Sequence, residues 1–482
     1  LSPFRTATIT TLYSPCAGLT MTAIAPPITT APPLADTLRQ RRQRLAAQVD
    51  FPVVLWSGQP SARNFPANTY PFRANSHFLY FAGLPLVNAA VHLAGGRLTL
   101  FMDETTPAAA LWHGPTPSRA DLAAQMGADA ARPLADLADF AQECATVPVQ
   151  DAATAAAQLT LRGIIQPTRD RALAAAIVAL RLTQDAGAIA AIRQAAQVSV
   201  QAHYQGMAAT RPGLTEAAVR AAMEAVIIEQ GMTCAYNSIV TVHGEVLHNH
   251  HYHHPLQPGD LLLADVGAEA PSGWASDITR TWPVSGRFSP TQRAVYDVVL
   301  AAQTACIAAA RPGVEYRDLH LLASRVLAAG LVDLGLLRGQ PDDLVEHDVH
   351  ALFFPHGVGH LLGLDVHDME DLGDLAGYAP GRTRSDRFGL QFLRLDRPLQ
   401  AGMVVTLEPG FYQVPGILQD PARRAQYEAW VNWERLEQFQ DIRGIRIEDD
   451  ILITATGCEV LTQALPKAAT AVEALINSDD RL

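Results

Sequence analysis

LLLADVGAEAPSGWASDITRTWPV, residues 261–284, is the stretch on which the reading of this chain turns. Two apolar, β-prone runs flank a Pro271-Ser272-Gly273 turn, and each carries one aspartate, Asp265 in the first and Asp277 in the second. Folded as a hairpin, the stretch brings both carboxylates together across neighbouring strands, facing one ion or bridging two. A single Asp at a strand end ordinarily caps a turn. Two in apolar strand context across one turn read instead as paired ligands.

Three further residues extend the pair into a set. His360 lies in PHGVGHLLGLDVHD (355–368), Glu408 in VVTLEPGFY (404–412) and Glu448 in RGIRIEDD (443–450). Four carboxylates and one imidazole, each near a β-rich apolar run, make an oxygen-dominated set suited to two divalent ions sharing bridging carboxylates. A metal pair makes hydroxide from water at neutral pH, which points to hydrolysis of an unreactive bond. A Glu facing inward from a run such as VVTLE or GIRIE is costly unless paired or metal-bound. Arg446, two residues before Glu448, shares its face by strand periodicity and is placed to anchor the carboxylates.

His356, His360 and His367 fall within twelve residues, interleaved with glycine. An imidazole ligates in one tautomer and donates in the other, so one of them can bind metal while its neighbours polarise a carbonyl. The richer cluster HGEVLHNHHYHH (243–254) reads as a solvated or lid-like loop, in which only His248, after the apolar GEVL, is placed for the site. No GxSxG, P-loop or dinucleotide fingerprint competes.

Around this set the chain is long, at 482 residues, and predicts two or three domains. Hydrophobic content of 49% with 17% charged residues is globular. A net charge of -12 without a Lys/Arg run argues against nucleic acid as a partner. No apolar run approaches the ~20 residues of a membrane span, so no membrane partner is expected. Cys16, Cys144, Cys234, Cys306 and Cys458 show no CxxC pairing, which favours the cytoplasm over an oxidising compartment. Met21 reads as the natural start, with residues 1–20 an extension and 1–36 a Pro-rich lead-in.

From Thr37 a basic helix, LRQRRQRLAAQV, leads into the strand PVVLWSG. Strands AAVHLAGG and LTLFMDE then alternate with the helical stretches SRADLAAQMG and LADLADFAQEC, giving an α/β domain over residues 37–172. A long helical region from Asp170 to Thr210 is punctuated by Thr183-Gln184-Asp185, which predicts an N-cap. Helix pairs then alternate with carboxylate-bearing β pairs, a hint of internal duplication, over residues 173–470; residues 471–482 form a tail.

At these residues the chain resembles the pita-bread metallopeptidases of the aminopeptidase P and prolidase family. YNSIV, DVGAE, SDITRT, HGVGHLLGLDVHD, TLEPGFY and GIRIEDD stand in the family's order, and YPFRANSHFLYFAGLP with AALWHG resemble its amino-terminal, creatinase-like domain. The resemblance implies an α+β chain with an N-terminal α/β domain and a pita-bread catalytic domain, cleaving the Xaa–Pro bond of proline-containing peptides through a metal-bridged hydroxide. In it Asp265 chelates one metal, Asp277 and Glu448 bridge, His360 and Glu408 complete the other, and Glu408 doubles as general base. His248 and His367 hold substrate and stabilise the tetrahedral intermediate, with His356 lining the pocket and Arg446 among the substrate-binding groups. Trp112 falls where dimeric or tetrameric relatives lend an aromatic to a neighbour's site. Family members most often use manganese; zinc, cobalt and iron suit the same ligands.

Two departures from the compact bacterial pattern matter. The Asp265–Asp277 hairpin is one residue longer, and the stretches after His367 and after Glu408 are much longer. RFGLQFLRLDRPLQAGM and QDPARRAQYEAWVNWERLEQF are similar to the prolidase branch, where an Arg at the position of Arg394 grips a dipeptide's free carboxylate. The expectation is therefore a dipeptidase first and an aminopeptidase P on longer peptides second. Methionine aminopeptidases lack the amino-terminal domain, creatinase-like enzymes need no metal ligands, and non-catalytic relatives lose them.

Overall fold

The computed structural model describes residues 34–478. The expectations for residues 1–20, for Met21 and for Cys16 lie outside them. Helix α1 (Leu34–Ala46) buries Leu38 and Leu45 on one face and opens the amino-terminal half. Strand β1 (Val53–Trp56) follows, then the hairpin β2 (Ala62–Phe65) and β3 (Asn68–Thr69) and the short helix α2 (Ser76–Ala82). Asn75 caps α2 by accepting from the His77 and Phe78 amides, and Gly83 ends it at φ 70, a left-handed position that suits glycine. Strands β4 (Ala90–Ala94), β5 (Arg97–Phe101) and β6 (Ala130–Arg132) complete a sheet of order β1-β4-β5-β6, with the β5–β6 pairing parallel. Helices α3 (Pro107–His113) and α4 (Arg119–Gln125) lie between β5 and β6.

The stretch LADLADFAQEC, expected as an α-helix, is a 3₁₀ turn over Leu134–Asp139. Its ends are fixed from elsewhere, the Leu134 amide by Asp103 and Ala145 by a parallel bridge to Val53, and that tertiary anchoring overrides helix propensity. After α5 (Ala152–Arg162), helix α6 (Pro167–Arg181) runs across the expected 172/173 boundary. Asp185 then accepts from the Ala188 amide at the start of α7 (Ala186–Ala209), as the Thr-Gln-Asp punctuation predicts. No single helix among the described residues is long and apolar enough to cross a membrane.

The second half alternates helix pairs with antiparallel sheets. Helices α7 and α8 (Glu216–Glu229) pack beside β7 (Thr233–Cys234), β8 (Ile239–Thr241), β9 (Leu261–Asp265), β10 (Ala268–Glu269) and β11 (Thr279–Pro283). The central sheet has order β11-β9-β8, and the excursion between β9 and β11 pairs β10 with β7. Helices α9 (Pro290–Ala309) and α10 (Tyr316–Asp333) precede β12 (Val404–Leu407), β13 (Gly410–Tyr412), β14 (Gly444–Arg446), β15 (Asp449–Ile453) and β16 (Cys458–Val460). These give a sheet of order β12-β15-β16 and the pair β13-β14. The expected tail contains helix Ala469–Ile476, whose Val472 is fully buried. One apolar cluster joins Phe78, Leu79 and Leu173 to Trp274, Leu362 and Leu364, so the two halves share a core.

Candidate metal centre

Strand register delivers the carboxylates. Asp265 ends β9 opposite Thr279 of β11, which places Asp277, two residues earlier, just past the strand end. Leu407 pairs with Asp449 across β12 and β15, so Glu408 and Glu448 leave adjacent strands side by side. The Glu448 amide donates to Thr279 O at 3.0 Å, sewing the second sheet to the first at the same level. His360 arrives beside β12, where the Thr406 amide donates to its carbonyl at 3.0 Å.

The result is a compact group. Nε2 of His360 lies 3.4 Å from Asp277 Oδ2 and 3.6 Å from Glu408 Oε1. Its Nδ1 is 3.0 Å from the Leu361 carbonyl, which can only accept, so the proton sits on Nδ1 and the Nε2 lone pair faces the carboxylates. Glu448 takes the Thr279 hydroxyl on Oε2 at 2.6 Å, while its buried Oε1 has no protein partner. Asp277, His360 and Glu448 offer ligand atoms within 4.8 Å of one another. Burial pushes Asp277 up to about 8, with Asp265's charge adding to it, and pushes Glu408 up to about 7. Glu448 is carried well above the usual carboxylate range by burial and then by Asp277 and Glu408. Like charges crowded out of water, an orphaned oxygen and a correctly turned imidazole fit a divalent cation site.

Several supporting residues carried no separate signal in the sequence. Tyr236, in the YNSIV stretch, sets its hydroxyl 2.6 Å from Asp265 Oδ1 and 2.5 Å from Asp277 Oδ1, joining the two aspartates. Thr279 links Glu448 to Arg446, whose Nε donates to its hydroxyl at 2.9 Å. The Asp277 amide donates to Asp450 at 3.1 Å. Arg446 itself meets Asp265 Oδ2 at 2.5 Å and stands 3.9 Å from Glu408. It also donates to the Tyr412 hydroxyl at 3.2 Å, and that hydroxyl lies 2.9 Å from His356 Nε2. His356 Nδ1 faces the Gly357 carbonyl at 2.8 Å, so both ring nitrogens are engaged, and burial followed by Arg446 pushes the ring down to about 3.

A cavity of about 490 Å³ opens over the group, lined by His248, His356, His360, His367, Arg394 and the four carboxylates together with apolar Leu247, Val414 and Ile417. His248 is exposed at its edge. His367 packs edge-on to His360, with ring centroids 4.3 Å apart, and pairs with Glu370 at 2.7 Å. Glu370 in turn holds Arg394, which is about a third exposed, so the guanidinium that sequence reading assigned to substrate already has an acidic partner. Trp112 is not brought to this centre within the chain: it lies on α3, 81% exposed, beside Leu111 at 80%.

Residues 190–455 match Metallopeptidase family M24, and residues 38–149 match Aminopeptidase P, N-terminal domain. The chain is 35% identical to a probable Xaa-Pro aminopeptidase of Talaromyces marneffei over 84% of this chain and 88% of that protein. It is 30% identical to the Xaa-Pro dipeptidase of Homo sapiens over 91% of each. Among solved structures it superposes on the aminopeptidase PepP of Pseudomonas aeruginosa with a TM-score of 0.77, at 32% identity, over 92% of this chain and 98% of that one. Aminopeptidase P from E. coli with the inhibitor Pro-Leu gives the same TM-score at 29% identity and the same coverage.

Proposed function

Because the chain belongs to metallopeptidase family M24, and is accordingly an Xaa-Pro peptidase dependent on divalent metal, we propose that it hydrolyses Xaa-Pro dipeptides at a two-metal centre. The convergence of Asp265, Asp277, Glu408 and Glu448 at the ends of paired strands, with His360 beside β12, carries the reading. Asp277 and Glu448 would be shared by the two ions, Asp265 would serve one, and His360 with Glu408 would serve the other. Four carboxylates to one imidazole favour manganese, with zinc, cobalt or iron as substitutes. The bound ions supply a water that ionises near neutral pH and polarisation of the scissile carbonyl.

The chain's own groups do the rest. Glu408, largely buried, takes the proton of the attacking water. His367 and His248, on the cavity wall, donate to the oxygen on which charge develops, His367 from Nε2 as an imidazolium whose Nδ1–H donates to Glu370, and His356 with Tyr412 and Arg446 braces Glu408 and Asp265. Arg394 turns its guanidinium from Glu370 to the free carboxylate of a dipeptide, or donates to both at once, a geometry its planar fork suits. Acting on longer peptides, as an aminopeptidase P, is the second reading. It is favoured by an open cleft of about 650 Å³ that adjoins the site through His367 and Glu370. Hydrolysis of an Xaa-Pro dipeptide beside an Xaa-Pro-Yaa tripeptide, each with added manganese, decides between them: a clear tripeptide preference overturns the dipeptidase reading.

In the same proposal the amino-terminal domain extends to about residue 172, inside α6, and the catalytic domain from there to about 470. The enzyme works in the cytoplasm as a dimer, or as a tetramer, with Trp112 offered to a second copy's cavity. Light scattering of the wild type and of Trp112→Ser, together with their activities, tests the assembly.

A further inference from the structure

Segment 361–371 leaves His360 and carries His367 and Glu370. Leu362 and Leu364 root it in the shared core and Met369 in the core of the second half, while Asp365–His367 between them form a wall. Through His367 it borders the 490 Å³ cavity over the metal centre. Through Asp365, Val366 and Asp371 it borders the 650 Å³ cleft, whose far side is the amino-terminal half of the chain. Apolar anchors hold the backbone at Leu361–Leu364 and at Met369, and between and beside them polar ties set the direction of the wall.

Those ties come from the end of α6 and from α2 of the amino-terminal domain. Arg181, the last residue of α6 and 1% exposed, donates Nη2 to Asp368 Oδ1 at 2.6 Å and to Asp365 Oδ2 at 3.2 Å. Its Nη1 lies 2.8 Å from Nδ1 of the fully buried His77. A guanidinium can only donate, so Nδ1 accepts and the ring's remaining N–H, on Nε2, points to Asp371 Oδ2 at 3.0 Å. Ser76 adds a 2.6 Å hydrogen bond to Asp365 Oδ1. Asp368 follows His367 directly, and Asp371 follows Glu370, so the ties grip the backbone next to both members of the His367–Glu370 pair. Burying a charge pair such as Arg181–Asp368 is costly, and an apolar pair of equal volume is often as stable. What the pair adds here is direction.

We infer that Arg181, at the end of α6, is a positioning residue that together with His77 of the amino-terminal domain holds the 361–371 wall and so fixes His367 and Glu370 beside the metal centre. The inference rests on the assignment of His367 to turnover made above. In the full-length, manganese-loaded enzyme, Arg181→Met should lower kcat about 10²-fold, the cost of misplacing a catalytic group by ~1 Å. KM and metal content should change little, and Arg181→Lys should recover part of the loss, keeping charge without the fork. Arg42→Met is the control: Arg42, in the amino-terminal domain, is just as buried but donates to the Met126 and Gly127 carbonyls, so its loss should lower Tm and spare kcat. In a His367→Ala background Arg181→Met should cost almost nothing further. Full additivity there, normal kcat in Arg181→Met, or an equal kcat loss in Arg42→Met overturns the inference. Normal turnover in His367→Ala overturns the His367 assignment and the inference with it, whereas a damaged His367→Ala beside a healthy Arg181→Met overturns the inference alone. Should Arg181→Met not fold, His77→Leu, which cuts the tie to Asp371, is read by the same criteria.

Discussion

Asp265, Asp277, Glu408 and Glu448 stand at the ends of hydrogen-bonded strands, each within a residue or two of a paired backbone position, and each is largely buried. On the other side of the same cavity, His367 and Arg394 stand on loops, about a third exposed, and are joined through Glu370, which begins a short 3₁₀ turn behind them. The carboxylate side is therefore located by the sheets, and the His367 side by ties that reach it from elsewhere in the chain. Under the proposed assignment, a site so divided separates two tasks: holding ions, which needs fixed oxygens, and meeting substrate, which needs groups that can adjust.

The severest break of that division is on the strand side. Asp277→Asn or Glu448→Gln should abolish activity and reduce bound metal, because in the proposed assignment each removes charge shared by two ions. Metal analysis with two ions per chain and near-normal turnover in either variant would contradict the bridging assignment. The boundary between the two sides runs between two histidines whose rings touch. His360→Ala should lose metal, whereas His367→Ala should keep it and lose ~10²–10³-fold in turnover; equal metal loss in both would erase the boundary.

Further out on the loop side, Arg394→Ala should cost roughly 1.5–3 kcal/mol of transition-state binding for Xaa-Pro dipeptides and little for tripeptides. Equal damage on both lengths would leave Arg394 as a partner of Glu370 and nothing more. The mildest test returns to the strand side. Tyr236→Phe removes the hydroxyl between Asp265 and Asp277, and should weaken metal binding by about tenfold, read by competition with a chelator, while leaving kcat at saturating metal nearly intact.

Much of the centre was legible in the sequence, for a local reason. An acid at the end of an apolar β run is conspicuous, because its burial needs a partner, and Asp265, Asp277, Glu408 and Glu448 all stand in that setting. The Asp185 cap and the alternation of helices with sheets were legible on the same footing, from spacing and capping chemistry alone. The LADLADFAQEC stretch was not, since its helical pattern yielded to anchors at Asp103 and Val53 that no local window contains. Nor did any local signal mark Thr279 under Glu448, 169 residues away in sequence, or Arg181 against Asp368, 187 residues away. Periodicity says which face a side chain is on, and composition says what that face will tolerate. What lies opposite depends on which strands and loops meet, and that only the tertiary structure decided.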